Sequence, residues 1–260
     1  MTRLLRSELL RLRSRRAVRW LALATIGALV LLGVQAVNEA TRTQGAADWV
    51  FAEKLPEGAN IVAGLLSVCA FLMGATYAGA DWAAGTVQSL LTWEPRRFRV
   101  VVAKAVALAV TITALGVLLL GAVTGIAALA SSRGGTFDGA PDDLWRTVAL
   151  ADLRALALGI LMAWLAFAIA SLTRNTGVAL GVGFVYFAIL EQLLRVVAQW
   201  LNPYLIGNAI AIWIGGRMRI DSGGSSTFEF TRPAAAAVLV AYSVGLLAFM
   251  TALFARRDVS

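Results

Sequence analysis

Long apolar runs alternate with short polar connections along the chain. Six of the runs are long enough to cross a bilayer, which takes about 20 predominantly apolar residues at a rise of about 1.5 Å each. They fall near Trp20–Val37, Ile61–Ala80, Val101–Ala130, Leu153–Leu172, Thr176–Leu201 and Ala234–Ala255. None has the period-two alternation of a strand, so each predicts a helix. The third is uncharged from Ala105 to Ser132, longer than a bilayer requires, and predicts a helix that tilts or projects beyond the membrane. The first follows an Arg-rich segment, as a secretory signal would, but its apolar run exceeds the roughly 7–15 residues of a signal core and five further spans follow.

Two shorter segments depart from this plan. Residues 1–17 interleave Leu4, Leu5, Leu9 and Leu12 on one side of a helical wheel with Arg on the other, Leu10 falling off the face. That pattern predicts a helix lying in the headgroup layer, with a merely topogenic Arg cluster as the alternative. Between the fifth and sixth runs, residues 202–233 contain Leu205–Ile214, which is apolar but only about half a span long. It predicts a short re-entrant or interfacial helix, and Gly223-Gly224-Ser225-Ser226 a turn after it. With no repeat and no linker, residues 1–260 read as a single transmembrane domain.

Composition adds the solvent, and charge adds the orientation. Of the 260 residues 59% are apolar and 15% charged, against about a quarter charged in soluble domains. The net charge is +8, and 21 of the 23 cations are Arg. With this hydropathy a basic balance points to anionic membrane lipid rather than nucleic acid. If the N-terminus is cytoplasmic, that side carries 14 cations against Glu8, Asp81, Glu94 and Asp258, a net of +10, and the other side −2. The positive-inside rule therefore predicts a multi-pass protein of the cell membrane with both termini in the cytoplasm. Trp20, Trp82 and Trp93 at the inner interface and Trp145, Trp200 and Trp213 near the outer one agree.

The chemistry is limited from the start. The absence of His and the single Cys69 exclude imidazole-based metal sites, intrachain disulfides and His acid/base catalysis. An intramembrane enzyme would need paired carboxylates at depth or a nucleophile with its base, and the spans offer neither. The polar segment between the second and third spans is the most informative. It runs Asp81-Trp82-Ala83-Ala84-Gly85-Thr86-Val87, then Leu90-Leu91, Pro95, Arg96-Arg97 and on to Lys104. A span ends at an acid, Gly85 allows a change of direction, and Pro95 stops a short helix presenting Val87, Leu90 and Leu91. A hairpin between two spans needs only a few residues, so a structured helix here reads as a grip for a partner, with a solvated connector as the alternative.

This segment resembles the cytoplasmic loop of permease subunits of ABC type-2 transporters. The positions that match are Asp81, Gly85, Thr86, Leu90, Leu91, Pro95, Arg97 and Lys104, with Asp81 where the family more often has Glu. The resemblance extends over the whole chain, through Ser7-Glu8-Leu9, the six spans, Asn202-Pro203 and Arg256-Arg257-Asp258. It implies an all-α membrane protein with an elbow helix at 1–17, a cytoplasmic coupling helix in the loop 81–99 and an outer loop at 202–233. It also implies ATPase contact through Asp81, Gly85, Thr86, Val87, Leu90, Leu91, Pro95 and Arg97, and pairing with a second permease copy. ATP and Mg would sit in the ATPase subunits, because a phosphate-binding loop needs a Lys after its last Gly, and the two Lys here follow Glu53 and Ala103.

Glu191 and Arg195 stand well inside the fifth span, one helical turn apart and about 24 Å along it from Asn175. They read either as a polar element of a substrate path or dimer seam, or as an interfacial ion pair that orients the helix. Gly121–Gly125 and Gly177–Gly181 have the small-residue spacing of close helix contacts, expected within the chain before a dimer seam. The function expected is the permease half of an exporter for a lipophilic or amphipathic substrate. A secondary transporter or a membrane scaffold without transport is the alternative.

Overall fold

The computed structural model describes residues 2–42, 50–85, 97–137, 140–221 and 227–256. In chain order these form α1 (Thr2–Ser14), α2 (Arg16–Arg42), α3 (Phe51–Ala83), α4 (Arg97–Gly134) and α5 (Leu144–Thr173). Then come α6 (Thr176–Val197), a 3-10 turn (Gln199–Tyr204), α7 (Ile206–Gly215), strands β1 (Met218–Asp221) and β2 (Thr227–Phe230), and α8 (Arg232–Arg256). Among the described residues six helices, α2 to α6 and α8, are long and apolar enough to span a membrane. α1 is the amphipathic segment of the N-terminus and α7 the half-length apolar one, both within a residue or three of their expected bounds.

The centre of the bundle is the pair α3 and α5, whose most apolar windows are 61% and 56% buried against 17% for α2, α6 and α8. Leu66, Ala70 and Met73 of α3 meet Leu158, Met162 and Ala163 of α5 in one continuous core. The axes approach closely because Gly74 lies against the backbone of Ala163, where a Cβ would overlap the carbonyl oxygen. In lipid, where apolar burial gives little drive, such backbone proximity is the main source of packing energy. The expected glycine pairs do not serve this purpose. Gly121, Gly125 and Gly181 face open space and Gly177 meets Asn175, since they lie on sides of α4 and α6 that no helix among the described residues covers.

The third span has the excess length expected of it, and the fifth departs from its expected form, each with a local cause. α4 is 38 residues long, about 57 Å at 1.5 Å per residue, and its first two turns extend past the apolar stretch to reach α1. α6 is not a uniform helix to Leu201: Tyr186–Leu190 form a π turn, α-helix resumes to Val197, and the 3-10 turn through Pro203 follows. β1 and β2 pair antiparallel, Met218 opposite Phe230 and Asp221 opposite Thr227. The loop 202–233 thus carries a small ribbon besides its helix. The Gly223-Gly224-Ser225-Ser226 turn lies outside the described residues.

Candidate functional site

At the end of the bundle that carries α1, four ionisable side chains converge where none is free to reach bulk water. Glu8 is 0% exposed, Asp81 3% and Lys104 6%, with Tyr77 at 0% among them. The elements that bring them together follow from residue spacing. Glu8 and Leu12 are one turn apart on α1, and Leu12 is fully buried, so docking that face on α4 takes the carboxylate in with it. Tyr77 and Asp81 are likewise one turn apart at the end of α3. Lys104 comes from the second turn of α4.

The Lys104 ammonium donates to Asp81 Oδ2 at 2.7 Å and to Glu8 Oε2 at 3.0 Å. The Tyr77 hydroxyl donates to Glu8 Oε2, and Arg15, in the bend between α1 and α2, donates to Asp81 Oδ1 and, at 3.3 Å, to the Tyr77 carbonyl. Arg11 reaches Glu8 Oε1 at 3.4 Å from the rim. Both cations also lie over the Tyr77 ring, Lys104 at 4.8 Å and Arg15 at 5.2 Å from its centroid. Taking a charge out of water costs several kcal/mol, so such a group survives only with matched partners. Here two carboxylates are balanced by Lys104 and Arg15, and a phenol satisfies a further lone pair.

What this cluster holds is the root of the connecting loop. Asp81 and Lys104 bracket it, so their ion pair pins its departure and its return. α3 ends at Ala83, and Gly85 turns the chain at φ +62, the left-handed region a glycine enters without strain. Thr86, Val87, Leu90, Leu91 and Pro95 lie outside the described residues; Arg97 opens α4. The neighbouring connection packs on the same root, with Arg174 stacked 4.7 Å from the Trp82 ring centre and Asn175 accepting from Val178 N to cap α6.

Glu191 and Arg195 belong to a separate arrangement on the opposite face. Glu191 is 1% exposed; one carboxylate oxygen accepts from Arg195 at 2.6 Å and the other from the backbone N–H of Gly207 at 3.0 Å. Tyr186 Oη accepts from Ile206 N at 3.2 Å. α7 has no side-chain cap of its own, and its first two N–H groups are satisfied by α6 across the loop. A Cβ at 207 would overlap the Glu191 carboxylate, so any other residue there would have to displace it from its hydrogen bonds. Beside this junction a cavity of about 650 Å³ opens between α3, α5, α6 and α7, lined by Phe71, Met162, Phe184, Phe187 and Ile210. Its one polar side chain, Ser67, already donates to Gly64 O at 2.8 Å.

Six spans, a pinned connecting loop and a half-length helix on the far face form one ensemble. The family model described as ABC-2 family transporter protein matches residues 18–259. The chain belongs to the ABC-2 transporter family. No curated protein matches it. As an ABC-2 permease it is a transport subunit of the membrane, and the match covers α2 to α8. α1 precedes the matched region, yet it contributes Glu8 to the cluster. Of the cluster, the resemblance carries Asp81 and Lys104 as loop positions and Glu8 within Ser7-Glu8-Leu9, with no pairing role for them or for Tyr77 and Arg15. The signal for Glu8 was present: it falls in the middle of the leucine face of α1, where a carboxylate has no reason to be unless something pairs with it.

Proposed function

We propose that this permease is the membrane half of an ATP-driven exporter, worked by separate ATPase subunits that bind ATP and Mg and grip the loop 81–99. The observation that carries this reading is Lys104 held between Asp81 and Glu8. A loop whose two ends are joined in a buried ion pair transmits a push at its tip to α3, α4 and α1 together. α3 then carries the displacement inward. Phe71 on the cavity wall is about 15 Å along it from Asp81 at 1.5 Å per residue, so a tilt at the cluster reshapes the cavity. The apolar lining of that cavity suits a lipophilic or amphipathic substrate. The large apolar faces left uncovered on α2, α6 and α8, the open glycines of α4 and α6, and the family together support pairing with a second permease copy. The loop charges support a cytoplasmic position for both termini and for the cluster.

The test is co-purification of the permease with an ATP-binding protein and measurement of ATP turnover with and without lipophilic substrates. Leu90→Asp or Leu91→Asp puts a charge into an apolar socket and should weaken that association by at least about tenfold. Undiminished association and transport in both variants, at normal expression, would remove the coupling assignment.

A further inference from the structure

At the end of the bundle away from α1, two arginines enter one helix seam from opposite sides. On α5, Arg154 lies in line with Ala151 and Leu158; on α8, Arg232 lies in line with Ala235 and Leu239. All four apolar neighbours are buried where α5 packs on α8, so both arginines stand half-buried at the mouth of that seam. The end of α7 closes over it. The Trp213 indole donates to the Arg154 carbonyl at 3.0 Å, and Gly216, at φ +108, lies so close to Arg232 that a Cβ would stand 3.1 Å from its Nη2. Arg154 is in electrostatic range of Arg232, and among the described residues neither guanidinium meets a carboxylate. Asp152, two positions from Arg154, is on another side of α5, and Arg217 and Glu229 are paired with each other at 3.6 Å. Arg232 Nε is buried and has no acceptor among the described residues. A guanidinium cannot shed its charge, so two of them side by side and out of bulk water call for an anion.

Depth says which anion. A hydrocarbon core takes about 20 residues of helix, which counted back from Thr173 at the far end of α5 reach Arg154. α8 begins at Arg232 itself. Both guanidiniums therefore stand where hydrocarbon gives way to headgroups, and Ala236 and the exposed Val240 follow Arg232 by one and two turns into the apolar layer. We propose that Arg154 and Arg232 bind the phosphate of an anionic phospholipid, one oxyanion accepting from both guanidiniums while an acyl chain lies along α8 over Val240. The guanidinium fork matches phosphate oxygens, and a choline head would bring a cation of the arginines' own sign. Free phosphate offers the same oxyanion without the chain.

Native mass spectrometry of the full chain in neutral detergent, titrated separately with phosphatidylglycerol, phosphatidylcholine and inorganic phosphate, tests the site. The expected result is one saturable phosphatidylglycerol adduct, at least about tenfold tighter than with the choline lipid or with inorganic phosphate. R154Q/R232Q should weaken it at least about tenfold, whereas R133Q/R146Q, which removes two exposed arginines from the same end of the bundle, should leave it unchanged. Ala236→Glu keeps both arginines and supplies a carboxylate one turn from Arg232, so it should displace the lipid phosphate from within the chain. Equal binding of the two lipids would overturn the proposal, as would inorganic phosphate binding as tightly as phosphatidylglycerol. So would an adduct that survives both R154Q/R232Q and Ala236→Glu, or one that R133Q/R146Q weakens equally.

Discussion

Replacing Lys104 with Met would leave Glu8 and Asp81 buried around an apolar tip, with Arg15 and the rim residue Arg11 as the cations that still reach them among the described residues. Breaking a buried ionic group by removing one partner costs about 3–5 kcal/mol, so this variant should lose much of its stability in detergent melts. The triple variant E8Q/D81N/K104M removes the three most deeply buried charges together, and with them their desolvation cost, and leaves Arg15, whose side chain is 22% exposed, to be met by water. It should recover most of the lost stability. If the cluster transmits the ATPase stroke, the triple variant should nevertheless uncouple, with ATP turnover continuing while substrate stimulation and transport fall. A triple variant that melts normally and transports normally would reduce the cluster to a fastening. Tyr77→Phe is the milder probe. It removes one hydrogen bond to a buried carboxylate, worth about 1.5–3 kcal/mol, without altering the charge balance, and should lower the melting temperature with coupling retained.

Among the elements, α6 and α7 are joined by contacts that neither makes within itself. Gly207→Ala drives a methyl group into the Glu191 carboxylate and should displace the start of α7, with faster amide exchange through Ile206–Gly215 and reduced transport. E191Q/R195M should behave differently. A Gln oxygen still accepts from the Gly207 N–H, and removing both charges avoids the unpaired ion that either single change would leave near lipid. That double variant should hold α7 and transport near the wild-type rate, whereas a fall in transport with α7 still protected would place the pair in the substrate path. Run length made these elements legible beforehand: six spans, the amphipathic start and the half-span at 205–214 all follow from counting apolar residues. The π turn of α6 was not legible, because its effect is to turn Tyr186 and Glu191 toward α7, a contact absent from any local pattern. The hairpin after α7 escaped for a related reason, its strands of four residues being too short for alternation to register. The glycine spacings misled because spacing alone does not say which side of a helix a neighbour occupies.

For the whole molecule the proposed orientation, with both termini on the cytoplasmic side, rests on the charge distribution. The α1 side carries a net +10 and the other side −2 when loop and terminal residues are assigned along the six spans. Three of the cations on the α1 side, Arg11, Arg15 and Lys104, are engaged with Glu8 and Asp81, yet the exposed Arg6, Arg13, Arg16 and Arg19 leave an excess that translocation would have to carry across the bilayer. A reporter for this must itself be accessible. Ser131 is 3% exposed and would shield a thiol, whereas the next residue, Ser132, is exposed at the end of α4 and Ser14 at the end of α1. In a chain with Cys69 replaced, Cys at 132 should therefore react with a membrane-impermeant maleimide in intact cells, and Cys at 14 only after the membrane is opened. The reverse pattern would put the charge cluster outside the cell, where no ATPase could act on its loop. Such labelling would overturn the orientation and the coupling mechanism together, while leaving the fold and the family as they stand.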